Sequence, residues 1–367
     1  MTANQEVIIV GGGAVGAACA RELAVAGRSV RLVDAGRSDG AGWRAAAGML
    51  APQIEARPDD PLFELGLAGR ERYQQIAGAL KESTGIDIGF WQEGIARVAA
   101  DEAEVDELKA RVAWQRQQGH VCDWFDAEEV KTRWPWLGPT HGALWAPHEA
   151  ALEPERLVEA LLADAVRAGA VIREDRIHTL QHRGAKVTGV LGGEKHDAEH
   201  VIITAGSWSP QIAGLPRPLP IVPVRGQMAA LPWPKGIERA IVFGKDCYLV
   251  ARGEEAIAGS TMEHSGYDAS VTPAGLAHIF ASVCALCPAL AGLDVTRTWA
   301  GLRPMTPDGF PILGREPRME GLWYATGHGR NGILLAGITG VIMAQLLNGE
   351  QPDEDLTACR PERFFDW

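Results

Sequence analysis

The chemically richest residues near the start of the chain are glycines. Gly11-Gly12-Gly13-Ala14-Val15-Gly16 has the spacing G-x-G-x-x-G. The first glycine of such a run permits a tight turn, the second lets a pyrophosphate approach the backbone, and the third lets a helix pack closely on the strand before it. The helix N-terminus that follows offers free N–H groups and a partial positive charge. Asp34 stands about 20 residues further on, where a carboxylate accepts hydrogen bonds from ribose hydroxyls. Its charge repels a 2′-phosphate. The run therefore points to a dinucleotide without a ribose phosphate, and by itself does not choose between NAD and FAD.

These residues need a strand, a turn, a helix and a second strand to hold them. Residues 6–10 read as a short buried strand, broken by glycines 11–13. Residues 14–26 read as a helix with Val15, Ala18, Cys19, Leu23 and Ala26 on one stripe, stopped by Gly27. Residues 30–33 form the second strand, so the unit predicts parallel pairing through a right-handed crossover. Residues 36–48 have a loop composition. Helices are expected over 62–81, 101–118, 154–168, 273–286 and 332–347, the third with Pro154 near its start. Prolines break 124–139. Strands are expected over 170–172, 177–180, 187–191 and 200–204, with Gly192-Gly193 as a hairpin turn. A second strand set follows at 221–231, 240–243, 247–251 and 256–259. It lies in the middle of the chain, so a second domain is inserted and not appended.

Four further segments carry a pattern: Ala45-Ala46-Ala47-Gly48-Met49-Leu50; Thr204-Ala205-Gly206-Ser207-Trp208; Trp299-Ala300-Gly301-Leu302-Arg303-Pro304, continued by Thr306, Asp308, Gly309 and Pro311; and Gly327-His328-Gly329-Arg330-Asn331-Gly332. With the first turn, they resemble the D-amino-acid oxidase family of FAD-dependent oxidoreductases, and within it the glycine-oxidase branch, which supplies dehydroglycine for thiazole synthesis in some bacteria. The resemblance runs from about residue 6 to about residue 350. It implies an α/β fold: a Rossmann-like FAD-binding domain of the glutathione-reductase type, assembled from 1–85, 145–218 and 300–367. The inserted substrate domain is a mostly antiparallel β-sheet with flanking helices, built from 86–144 and 219–299. The pocket is expected at their junction.

The cofactor contacts implied are Gly11, Gly13, Ala14, Val15, Gly16, Asp34, Ala35, Gly42, Trp43, Ala47, Gly48, Met49, Leu50, Ile177, Ala205, Gly206, Trp208, Arg303, His328, Gly329, Arg330, Asn331, Gly332, Ile333 and Leu334. The turn at 327–335 leads into a helix N-terminus, which can stabilise negative charge on a reduced ring. The small side chains of 45–48 suit close backbone approach to a flat ring. Related monomeric sarcosine oxidases attach flavin through a Cys after the matching Arg; Met305 and Thr306 stand there, so noncovalent FAD is expected. Gly42, Trp43 and Arg44 replace hydroxyl residues common in the family, removing side-chain hydroxyl bonds to the cofactor.

For substrate, the resemblance assigns Arg303 to the carboxylate, a role that suits a guanidinium fork. Tyr248 matches a pocket tyrosine, expected with Arg303 to serve catalysis by holding the carboxylate or gating entry. Met262 matches an apolar wall. Asp246 stands where the glycine-oxidase branch has His. Arg330 either shapes the active-site side of the ring or is structural. The implied reaction is hydride transfer from Cα of glycine, an N-substituted glycine or a small D-amino acid to flavin N5, with no catalytic base required. The imine then hydrolyses, and O2 as acceptor gives hydrogen peroxide. The competing readings are a D-amino-acid dehydrogenase that passes electrons to a quinone, a modifier of a carboxymethylamino group on tRNA, and a flavin-binding protein without turnover.

Composition narrows these. A formal charge of −12 opposes binding to a phosphate backbone, so no nucleic-acid partner is expected. No basic amphipathic helix supports membrane association. Residues 1–6 lack the basic start of a leader, and the longest apolar run, 332–347, is short for a spanning helix. Six scattered cysteines fit a reducing cytoplasm. Cys284 and Cys287 form a C-x-x-C without a partner pair, and His141 and His148 are loosely spaced, so no metal is expected. The twelve tryptophans fit core and interfaces. Relatives are often tetramers, which makes a homo-oligomer an expectation.

Overall fold

The computed structural model describes residues 5–36 and 39–364. The absence of a leader, argued from the opening residues, and positions 37 and 38 of the expected loop fall on residues outside that description. The strands in chain order are β1 (Gln5–Val10), β2 (Val30–Asp34), β3 (Met49–Leu50), β4 (Ile95–Val98), β5 (Asp123–Asp126), β6 (Gly142–Ala146), β7 (Ala150–Ala151), β8 (Val171–Glu174), β9 (Thr179–Arg183), β10 (Lys186–Leu191), β11 (Lys195–Ile203), β12 (Val222–Pro232), β13 (Ile241–Phe243), β14 (Tyr248–Arg252), β15 (Glu255–Gly259), β16 (Arg297–Met305), β17 (Ile312–Arg315) and β18 (Leu322–Thr326). The helices are α1 (Ala14–Val25), α2 (Gly42–Ala45), α3 (Pro52–Glu55), α4 (Phe63–Thr84), α5 (Glu102–Gln117), α6 (Ala127–Arg133), α7 (Pro154–Arg167), α8 (Pro273–Leu286) and α9 (Gly332–Leu347).

Two large sheets organise the molecule. The first runs β17-β18-β11-β1-β2-β8, with β10 and β9 added beside β11. Its centre is parallel: β1 lies between β11 and β2, as the β-α-β reading requires. Alternation divides the buried side chains of β1 between two cores. Val7 and Ile9 join a cluster with α1, α4, α7 and α9, while Ile8 and Val10 join another with residues from β9, β10 and β18. The second sheet runs β16-β12-β15-β14-β13-β4-β6-β5 and is antiparallel except at β13–β4. Its strands come from residues 95–146, 222–259 and 297–305, so the expected cuts at 144/145 and 299/300 fall inside β6 and β16.

The differences from expectation have local causes. Residues 36–48 contain the one-turn α2, although their composition is that of a loop. Residues 124–139 are not simply broken by prolines. Asp126 ends β5 and opens α6 with a capping box, and Pro135 and Pro139 fall after the helix. The apolar run at the end is longer than expected: Gly329–Leu347 is 19 residues and meets the length and hydropathy of a membrane-crossing helix, but 67% of that window is buried inside the fold. α9 packs against α1 and α4, which accounts for its composition.

Candidate active site

A cavity of about 1660 Å³ lies between the two sheets. It exceeds the roughly 300–1,000 Å³ usual for a small-molecule pocket, leaving room for a dinucleotide and a small substrate together. All but two of the residues expected at the site line it. The exceptions are Gly16 and Leu50. A Cβ on Gly16 would lie 1.8 Å from the Gly11 carbonyl oxygen, so this glycine serves helix-on-turn packing and contributes no wall. Leu50 is fully buried, and its strand β3 pairs with β7.

At the dinucleotide end, Gly11 adopts φ +108°, and a side chain there would meet the backbone of Thr204 and Ala205 at 2.8 Å. The cap of α1 has no side-chain hydrogen bond and no acid in its first turn, which leaves its N–H groups to a ligand. Asp34 accepts the Gly12 N–H at 2.6 Å and the Gly36 N–H at 2.9 Å, one on each carboxylate oxygen. Its remaining lone pairs are available to hydroxyls. Gly12 was absent from the expected contacts, although it stands inside the motif. Trp43 packs against Gly13, and Arg44 lies 4.2 Å above the Trp43 ring, facing the same cavity. The residues present therefore fit FAD: an uncapped helix end for the pyrophosphate, a carboxylate for the ribose, and glycines where backbone must come close.

Further along, the carbonyls of the 45–47 segment are held from the second sheet. Arg252 donates to the Ala46 and Ala47 carbonyls, and Trp299 Nε1 donates to Ala45 at 3.3 Å. Burial lowers the Arg252 pKa. The sequence carried no sign of this clamp. Elsewhere in the lining, α9 begins without a side-chain cap or first-turn acid. His328 is buried just before it and lies 3.1 Å from the Thr339 hydroxyl. Burial holds its pKa down to about 3, so the ring is neutral at ordinary pH.

The other end of the cavity is built largely on one face of the second sheet. Arg303 Nη1 donates to the Thr261 carbonyl at 3.0 Å and Nη2 to the Ser260 hydroxyl at 2.7 Å. Among the described residues no carboxylate pairs with it. Its guanidinium lies over Gly226, where a Cβ would come within 2.1 Å of Nη1. Tyr248 leans over Gly259 in the same way, its hydroxyl 2.8 Å from the Cβ position, and donates to Met228 Sδ at 3.2 Å. These two glycines clear the floor for the Arg303 and Tyr248 side chains, and sequence reasoning did not find them. Met262 is 54% exposed and lines the cavity without being packed as core. Asp246 lines it from the β13–β14 turn, next to Lys245, which pairs with Asp101 at 2.8 Å. Arg330 forms an ion pair with Glu55 of α3, tying the α9 entrance to the first half of the chain.

Comparison with known proteins bears on this arrangement. The sequence model of the family described as DAO, FAD dependent oxidoreductase, matches residues 6–346. A glycine oxidase from Geobacillus kaustophilus is 32% identical over 363 residues, covering 97% of this chain and 96% of that protein. The crystal structure of glycine oxidase from Geobacillus kaustophilus superposes with a TM-score of 0.92 at 31% identity, covering 97% of each chain. That of an iminodiacetate oxidase from Chelativorans sp. BNC1 gives a TM-score of 0.89 at 28% identity, covering 97% of this chain and 99% of the other.

Proposed function

The chain belongs to the DAO family of FAD-dependent oxidoreductases, and from that premise we propose that it oxidises the Cα–N bond of glycine or an N-substituted glycine. The observation that carries this reading is Arg303: a cation facing the cavity, fixed by a carbonyl and a hydroxyl, with no carboxylate partner among the described residues. An amino acid's carboxylate supplies the missing charge and accepts two parallel hydrogen bonds from the guanidinium. With the acid group held, Cα and the nitrogen stay inside the cavity that residues 45–49 and 328–331 also line.

In this reading the half built on the first sheet carries the dinucleotide, and the second sheet carries the substrate. Bound FAD would supply the acceptor for the hydride leaving Cα, and its reoxidation by O2, taking up the proton released from the substrate nitrogen, would yield hydrogen peroxide. The substrate R–NH–CH2–COO⁻ loses one hydrogen from Cα and one from nitrogen, giving R–N=CH–COO⁻. Water then adds to the imine and releases glyoxylate and R–NH2. The protein's own contribution is orientation and exclusion of water: Arg303 and Tyr248 fix the substrate over a floor cleared by Gly226 and Gly259. The relatives named glycine oxidase support this substrate class.

The test is anaerobic bleaching of the bound flavin by glycine, sarcosine, longer N-alkylglycines, D-alanine and D-proline, followed by a peroxide assay in air. Bleaching by one of the glycine derivatives with stoichiometric peroxide is expected. Bleaching without peroxide would favour a dehydrogenase. Purified protein that is colourless and takes up no FAD would remove the reading altogether.

A further inference from the structure

A second arginine lines the cavity with no counter-ion among the described residues. Arg97 lies on β4, and the strand pairings form one continuous row across the sheet. Arg97 is opposite Phe243, Phe243 opposite Tyr248, Tyr248 opposite Gly259, Gly259 opposite Met228, and Met228 opposite Trp299. Residues directly opposite one another share a face of the sheet. Alternation along β16 puts Arg303 on the face of Trp299 and Gly301. Arg97, Phe243, Tyr248 and Arg303 therefore rise from one face into one cavity.

Each charged neighbour of Arg97 is already engaged. Glu107 pairs with Arg111 on α5, Glu55 with Arg330, and the Glu104 carboxylate accepts the Ala100 N–H at 2.8 Å. Among the described residues Arg97 itself has no ion pair and no hydrogen bond. Burial, and then the nearby Arg111, lower its pKa against the weaker opposing pull of Glu104, Glu107 and Glu55. A guanidinium does not shed its proton in proteins, so it gains free energy when an anion arrives.

The spacing sets the size of that anion's carrier. The Arg303 head group sits over Gly226 of β12 and bonds Ser260, next to β15. β4 is three strands beyond β15, about 14–15 Å along the sheet. The Arg97 side chain covers part of that distance. Between the two cations lie the rings of Phe243 and Tyr248, with centroids 5.7 Å apart, an apolar floor suited to methylene groups.

We propose that Arg97 binds a second anionic group at the far end of the substrate's nitrogen substituent, so that the preferred substrates are N-(carboxyalkyl)glycines with several methylenes between nitrogen and the distal acid. The proposal rests on the reading that Arg303 holds the α-carboxylate. It names the class of substrate that this site selects over glycine itself.

The experiment compares kcat/KM for N-propylglycine and N-(3-carboxypropyl)glycine in wild type, Arg97→Met and Arg97→Lys. Calorimetric Kd values for adipate and hexanoate on the FAD-loaded proteins provide a readout independent of turnover. The wild type should favour the carboxylated member of each pair by about tenfold or more. Arg97→Met should erase that ratio and Arg97→Lys should keep part of it, with the visible flavin spectrum unchanged in both. Equal values for the two members of each pair in the wild type overturn the proposal, as does a preference that survives Arg97→Met. Adipate binding that depends on Arg97, without oxidation of either glycine derivative, leaves the anion site standing and removes the proposed reaction. Oxidation of N-propylglycine with no gain from the distal acid does the reverse. If Arg97→Met fails to retain FAD, the wild-type ratios and Arg97→Lys still decide.

Discussion

The Arg303 guanidinium rests on the backbone of Gly226, so closely that an added Cβ would lie 2.1 Å from Nη1 and 2.4 Å from Nη2. The pairing of Gly226 with Gly301 and of Val224 with Arg303 makes this contact unavoidable: the arginine on β16 can fold over β12 only where β12 has no side chain. Gly226→Ala must push the head group away from Ser260 and Thr261 or tilt it out of the cavity. A displacement of about 1 Å at a positioning residue costs on the order of 100-fold in rate. We expect kcat/KM for the amino-acid substrate to fall by about 10- to 100-fold in Gly226→Ala while FAD remains bound. Unaltered kinetics would mean that the guanidinium has room to move without consequence.

Arg303 itself is separable from folding. It lines the cavity, and its two bonds go to Ser260 and Thr261, just past the end of β15, and not to a buried acid. Lys keeps the charge but cannot present two parallel donors. Arg303→Lys should raise the apparent KM by about tenfold or more and leave the flavin absorption bands in place. A KM equal to that of the wild type would remove Arg303 from carboxylate binding.

Parts of this architecture were readable before any coordinates, and the reason is locality. The unit from residue 6 to Asp34 is written in contiguous glycines and apolar stripes, so turn, helix and strands all follow from neighbours in the chain. The row that places Arg97 beside Tyr248 is different. It depends on the pairing of Phe243 with Arg97, two residues far apart in sequence, and on a strand of only four residues. Nothing in the local composition of 95–98 says which face it presents or what lies next to it. The same holds for Gly226 and Gly259: each looks like an interruption in an apolar strand until the facing side chain is known. Arg303 was legible only because a flanking pattern resembled a known family, and the Arg252 clamp on 46–47 had no pattern to announce it.

Gly16 is a structural glycine at a functional turn. The space for a Cβ there is occupied by the Gly11 carbonyl oxygen at 1.8 Å and the Thr204 hydroxyl at 2.7 Å, and the first of these is backbone. The helix would have to slide off the turn that its free N–H groups serve. Gly16→Ala should cost about 1–3 kcal/mol of stability, the usual range for overpacking, and weaken FAD retention through gel filtration. A variant that keeps its melting temperature and its yellow colour would show that α1 can shift without loss.

A buried carboxyl predicts how stability changes with pH. Glu149 is fully buried, accepting the Gln53 N–H at 3.1 Å and an Arg70 donor at 3.0 Å, with its second oxygen unpartnered among the described residues. Burial outweighs Arg70 and raises its pKa to about 8. An unfolded glutamate titrates near 4.3. Between these values the folded chain holds a proton that the unfolded chain has released, so stability is fully present below about pH 4 and declines as pH rises toward 8. Glu149→Gln keeps both acceptor contacts and cannot titrate. The melting temperature of the wild type should therefore fall relative to that of Glu149→Gln, on the order of a few degrees between pH 5.5 and 8. A constant difference across that window would mean that the Arg70 pair keeps the carboxyl ionised throughout, and that the attraction of the guanidinium wins over the loss of water.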